Sequence, residues 1–296
     1  MGVKNTAIGV DLGGHSISAG IVSDGTIQDK IEESTASRAI EKTVAQVAAM
    51  VRRLEAGSKC PVGVGLPGVL DKTRSSILGI ANFDCPPEFP FKKHLEDSLE
   101  RKVAIENDAN CYTLGEGWGG AAKGLSDYVV LTLGTGIGGG IVVGGRLLLG
   151  AHGMAGEPGH MPVDKAPLCT ESCGGKGHVE SFFSADSIER RAARLGLDGD
   201  VKKLWKRRGE SGFDELWDEP LDILARGTAG VVSLLDPQAV VFGGGLSKGE
   251  GFVATLRPRI ESYLCRPYRA TLDLRPSILG SDAPLIGAAA LAAGNS

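Results

Sequence analysis

Aromatic side chains are scarce, at 5% of the 296 residues. Several other features are missing. There is no run of five like charges, and the N-terminus lacks the charged, apolar, small-residue order of an export signal. No uninterrupted apolar stretch is long enough to cross a bilayer, because the longest candidate, Val129 to Val143, is broken by glycines. The net charge of −4 leaves no basic stripe for a nucleic-acid backbone. A cytoplasmic protein is therefore expected, with neither a membrane nor a nucleic acid as partner. A GxxxxGK[ST] phosphate loop is absent, which argues against a P-loop fold. Six cysteines in a reducing compartment favour metal binding over disulfides.

What the chain has in excess is glycine, 44 residues, about twice the usual share. The glycines cluster without a G-X-Y period, so they mark tight turns or close backbone approach rather than a collagen-like repeat. Hydrophobic residues at 42% and charged residues at 23% are ordinary for a folded protein, and the length favours two domains.

Two segments look alike. Ile8 to Ile27 and Val129 to Leu148 each read as an apolar strand, a glycine turn, a second strand and a two-residue hairpin signal, Asp24-Gly25 in the first and Gly144-Gly145 in the second. Asp11 aligns with Thr132, Gly13 with Gly134 and Gly25 with Gly145. Two related domains are implied. Between them, Ile40, Val44, Val47, Val51 and Leu54 recur at helical spacing, with Gly57 as the expected C′ residue. Further helices are expected around Ser187–Leu195, Leu221–Leu235, Phe252–Leu264 and Pro284–Ala293, with a strand at Ala239–Phe242. Strands alternate with helices, which makes the class α/β, and the domain boundary is expected as a hinge near Asn107.

Three glycine turns follow strands. Asp11 precedes Gly13 and Gly14, and a carboxylate at that place suits a hydrated Mg²⁺. Gly134, Thr135 and Gly136 repeat the turn, with the Thr135 hydroxyl as an added donor, and Gly243, Gly244 and Gly245 follow a later strand. Without a Cβ, such backbone N–H groups approach phosphate oxygens closely, so the set points to a nucleotide. Asp108 stands between an apolar strand and a helix, and two roles stay open for it: a helix N-cap, or a general base accepting a hydroxyl proton during phosphoryl transfer. His160, Cys169, Cys173 and His178 are a donor set that suits structural zinc, the other reading being a chance grouping. Glu157 and Glu180 flank that cluster as candidate acceptors for a polyol.

Taken in order, these pieces resemble the ROK family of sugar kinases and sugar-responsive repressors. The matching motifs are DLGG at 11–14, GLPGVLD at 65–71, IANF at 80–83, ENDAN at 106–110, LGTGIGGGIVVGG at 133–145, GAHGMAGEPGHMPV at 150–163, CGGKGHVE at 173–180 and FGGGLS at 242–247. The resemblance implies a two-domain actin-like, ribonuclease-H-like ATPase fold with a cleft that closes on ATP and a hexose. It implies a small domain of residues 1–106 plus 284–296, and a large domain of 107–283 bearing the possible zinc loop. It makes Asp108 the base on the sugar 6-hydroxyl, puts Asn82, Asn107, Glu157, His160 and Glu180 on the other hydroxyls, and assigns zinc to His160, Cys169, Cys173 and His178. A homodimer is also implied.

The chain departs from the family pattern where His15 and Ser16 replace a usual Thr-Lys, and where Glu171 and His178 replace two usual cysteines. The leading expectation is a glucokinase-type enzyme using ATP and Mg²⁺. The alternatives are a kinase for N-acylmannosamine, allose, fructose or N-acetylglucosamine, or a kinase-inactive sugar-binding protein. A DNA-binding regulator is not expected, because only ten residues precede Asp11.

Overall fold

The computed structural model describes residues 5–55, 59–80, 82–164 and 175–295. Strands β1 (Thr6–Leu12), β2 (Ser16–Ser23) and β3 (Thr26–Ser34) open the chain. Helix α1 (Ile40–Leu54), β4 (Val62–Leu66), the short β5 (Val69–Leu70) and β6 (Ile77–Gly79), α2 (Phe91–Leu99), β7 (Val103–Asn107) and α3 (Asp108–Trp118) follow. The pattern restarts with β8 (Tyr128–Leu133), β9 (Ile137–Val143) and β10 (Arg146–Leu147). Next come the helices α4 (Val179–Phe182), α5 (Ala185–Arg194), α6 (Val201–Lys206) and α7 (Asp214–Leu235). The chain ends with β11 (Ala239–Gly243), α8 (Gly244–Ser247), α9 (Phe252–Tyr263), α10 (Arg266–Thr271), β12 (Leu274–Pro276) and α11 (Ala283–Ala292).

The duplication seen in the sequence is a duplication of topology. One five-stranded sheet has the order β3-β2-β1-β4-β7, and the other has β10-β9-β8-β11-β12. In the first, two antiparallel pairings are followed by two parallel ones, β1 with β4 and β4 with β7. The second repeats the parallel half, β8 with β11 and β11 with β12. Both hairpin signals are two-residue turns with positive φ at each position, 50° and 78° at Asp24-Gly25 and 58° and 77° at Gly144-Gly145. That geometry matches the twist of the flanking strands. The chain divides into two compact units, Met1–Ser126 with Gly140–Gly156 and Ile278–Ser296, and Asp127–Gly139 with Glu157–Ser277.

In the first unit, β1 alternates. Ile8, Val10 and Leu12 enter a core with Val44, Val47 and Val51 of α1 and Phe91 and Leu95 of α2. Ala7 instead packs with Leu285, Ile286 and Ala289 of α11. Part of the glycine excess has its reason here. A Cβ at Gly9 would overlap the Leu285 carbonyl oxygen, one at Gly63 that of Ala288, and one at Gly287 that of Cys111. Helix α11 lies directly on the sheet backbone at Gly9 and Gly63 and on α3 at Gly287, and a methyl group at any of these places would force it away, at about 1–3 kcal/mol or more. By the same alternation, Asp11 falls on the α11 side of the sheet, with Ala7 and Gly9.

The second unit concentrates the few aromatics. Trp205 stands perpendicular to Trp217 at 5.0 Å between ring centres, and Phe252 packs against Phe183, Phe242 and Trp205. Expected helix positions hold for α1, α5, α9 and α11, whereas Gly57 lies outside the described residues. Helix α7 starts at Asp214, earlier than its apolar pattern suggests, and runs through Pro220. Burial of Leu216 and Trp217 outweighs the hydrogen bond that the proline removes.

Candidate active site

Strand β7 delivers the segment Glu106-Asn107-Asp108 to the start of α3. Asn107, not Asp108, is the helix cap: its Oδ1 accepts from the backbone N–H of Ala109 at 2.9 Å and of Asn110 at 3.2 Å. Its Nδ2 donates to the Gly68 carbonyl at 3.1 Å. The capping role open to Asp108 on sequence grounds thus falls one residue earlier. The Asp108 carboxylate accepts from the Ala109 N–H at 2.9 Å, and burial raises its pKa above the ordinary aspartate value. A carboxylate of raised proton affinity is a better base.

Asp11 pairs in register with Gly65, and Gly65 with Glu106. A Cβ at Gly65 would stand 3.0 Å from the Cys111 Sγ, so that glycine lets α3 lie close to β4. Burial, and then the charge of Asp108, push Asp11 up to about 7. Two partly enclosed carboxylates that repel each other suit a divalent cation carried by hydrating waters.

The two glycine turns share a construction. The Gly13 N–H donates to the Ser16 carbonyl at 2.9 Å, and the Gly134 N–H to the Gly136 carbonyl at 2.9 Å. Both amides close their own turns. Asn82, with φ of 67°, lies against the first turn, its Cβ 3.2 Å from the place of a Gly14 Cβ. His15 is exposed.

In the second unit, Glu180 Oε2 accepts from the Ile137 N–H at 2.6 Å, and a Cβ at Gly136 would strike that carboxylate. A 3₁₀ turn at Pro158–His160 follows Glu157, and Gly159 sits against the Ile137 carbonyl. Gly134, Gly136, Glu157, His160 and Glu180 are therefore gathered at the start of β9. His160 Nδ1 and His178 Nδ1 are 3.3 Å apart, within hydrogen-bond reach of each other. Cys169 and Cys173 lie outside the described residues. Among the described residues no group of three metal-ligating side chains occurs.

The third glycine cluster splits by role. Gly244 has φ of 83°, and a Cβ there would overlap the Leu133 carbonyl, so it serves the fold. Gly245 opens onto a cavity of 350 Å³ walled by Phe183, Trp205, Trp217 and Leu246, with Lys202 and Lys206 among its cations. Arg208 stacks on Trp205 at 4.5 Å. No sequence motif announces this aromatic cavity, because its walls come from α6 and α7, which are linked only by packing. Nor does any motif announce that Glu106 pairs with Arg74, a buried ion pair with Nε to Oε2 at 2.8 Å.

The class defined by two repeated sheets and two glycine turns is the actin-like ATPase. Comparison with known proteins narrows it. Residues 7–295 match the ROK family, and the chain belongs to that family. A glucokinase of Thermotoga maritima is 36% identical, covering 97% of each chain. An N-acetylmannosamine kinase of Escherichia fergusonii is 33% identical over 98% of this chain and 99% of its own. The ROK hexokinase of Thermus thermophilus superposes with a TM-score of 0.86 at 33% identity, covering 96% of each chain. A Streptomyces griseus glucokinase crystallised with glucose and AMPPNP gives 0.78 at 32% identity, over 97% of this chain and 98% of its own. The α/β, two-domain actin-like fold expected from the motifs is the fold observed. No helix among the described residues is long and apolar enough to cross a membrane.

Proposed function

We propose that the protein transfers the γ-phosphoryl group of ATP to the 6-hydroxyl of a hexose, with glucose as the first substrate. The observation that carries this reading is Asp108, a carboxylate of raised pKa on the first turn of α3, held by the Asn107 cap beside Asp11. Relatives named glucokinase at 32–36% identity over nearly the whole chain support it.

In the reaction, Asp108 takes the proton of the 6-hydroxyl as its oxygen bonds to the γ-phosphorus and the bond to the bridging oxygen of ADP breaks. Asn82, Glu157, His160 and Glu180 hold the remaining hydroxyls, and Asn107 keeps the helix start that aims the base. Amides of the turns at Gly13-Gly14 and Gly134-Thr135-Gly136 contact the phosphates. Because the Gly13 and Gly134 N–H groups close their own turns, this contact falls to their neighbours. The cavity beside Gly245 takes the adenosine. Mg²⁺, held through water by Asp11, supplies charge neutralisation on the triphosphate when bound.

Zinc is a further part of the reading. His160 and His178 fit two corners of a tetrahedral site, with Cys169 and Cys173 as the other ligands. Metal analysis of the purified protein is expected to find one zinc per chain. A zinc-free, fully active preparation would remove the ion.

A second sugar class has its own support, since relatives include kinases for N-acetylglucosamine and N-acetylmannosamine. A coupled ADP-release assay over glucose, fructose, allose and both N-acetylhexosamines separates the readings. The highest kcat/KM is expected for glucose. A higher value for an N-acylated sugar moves the substrate to that class, and no turnover with any sugar refutes the kinase reading.

A further inference from the structure

Arg74 has left-handed backbone, with φ of 53°, a region that residues other than glycine enter uncommonly. Its side chain is 12% exposed and reaches two distant segments as well as its own turn. Nε donates to Glu106 Oε2 at 2.8 Å, one terminal nitrogen to the Asp71 carbonyl at 3.2 Å, and the other to the Gly153 carbonyl at 3.1 Å. Glu106, only 2% exposed, spends its other oxygen on the segment around the base: Oε1 accepts from the Asn107 N–H at 2.8 Å and from Asn110 Nδ2 at 3.0 Å. Those two donors stand on either side of Asp108.

The geometry points to Arg74 as a positioning residue with two arms. One arm neutralises Glu106 and through it fixes the first turn of α3, hence the aim of Asp108. The other pins Gly153, in the segment that runs directly into Glu157. Only a guanidinium serves both, because its donors diverge in a rigid fork; a lysine ammonium keeps the charge beside Glu106 and loses the span. The inference rests on the reading of Asp108 as base and Glu157 as a sugar ligand.

Steady-state kinetics of Arg74→Lys, Arg74→Met and Arg74→Met/Glu106→Gln test it, alongside Asp108→Asn. Arg74→Lys is expected to raise the hexose KM about tenfold while kcat stays within about threefold and the ATP KM is unchanged. Arg74→Met leaves Glu106 buried without its partner, and is expected to lower kcat about 30-fold or more as well. Adding Glu106→Gln removes the stranded charge. It should restore thermal stability and part of kcat, but not the hexose KM. A purely structural role would lower the active fraction and leave both KM values alone. An unchanged hexose KM in Arg74→Lys, or hexose and ATP KM values rising together, overturns the inference. A fully active Asp108→Asn instead overturns the reading of the base on which it rests.

Discussion

Asp11→Asn is expected to give a protein that is more stable than the natural one and almost inactive. In the natural chain Asp11 is raised from an ordinary carboxyl value of 3.8 to about 7, first by burial and then by the charge of Asp108. Above that pH, folding keeps an ionised carboxylate in a place that disfavours it. The asparagine has similar shape and no charge. So large a rise in proton affinity corresponds to about 4 kcal/mol at most, so a gain of about 2–4 kcal/mol is expected at pH 8, or roughly 5 °C or more in Tm. Such stabilisation at the cost of activity is the usual mark of a group kept for chemistry.

The sign of the pH dependence follows from the direction of the shift. A carboxyl whose folded pKa is raised binds more protons in the folded state between pH 3.8 and about 7. Its contribution to stability is complete below the lower value and is lost as the pH rises through the upper one. The stability difference between Asp11→Asn and the natural protein should therefore be large at pH 8 and less than half as large near pH 5. Activity moves the other way: without the carboxylate proposed to hold hydrated Mg²⁺, kcat/KM for ATP is expected to fall about 10²-fold. Calorimetric unfolding at the two pH values, with ATP kinetics at pH 8, checks both halves. Equal stability at pH 8 contradicts the burial of an ionised Asp11.

Much of this was legible in the sequence because the chemistry there is local. Strand, glycine turn, strand and two-residue hairpin follow one another within about 20 residues, so the repeat at Ile8 and Val129 announces two sheets of the same order. The place of Asp108, at a strand end next to a helix start, was legible in the same way. What stayed hidden depends on residues brought together from far apart. Nothing near Gly63 says that its hydrogen makes room for the Ala288 carbonyl, 225 positions on. Nothing near Arg74 points to Glu106 or Gly153. The capping role went to Asn107 because both neighbours in Asn-Asp are good caps, and only the backbone angles choose between them. The aromatic cavity was hidden for a similar reason, since Trp205 and Trp217 meet only after α6 and α7 pack.

Asp108→Asn should lower kcat about 10²–10⁴-fold, the span that a positioned general base contributes. The amide keeps the size of the side chain, and the Asn107 cap does not depend on it, so the helix start stays where it is. The hexose should bind the variant with nearly its natural affinity. Glucose titration calorimetry and a coupled ADP-release assay on one preparation of Asp108→Asn are the most direct trial of the claim that this carboxylate deprotonates a sugar alcohol. The account predicts a glucose Kd within about threefold of the natural one, with turnover nearly gone. Turnover at the natural rate, with glucose bound, would contradict it.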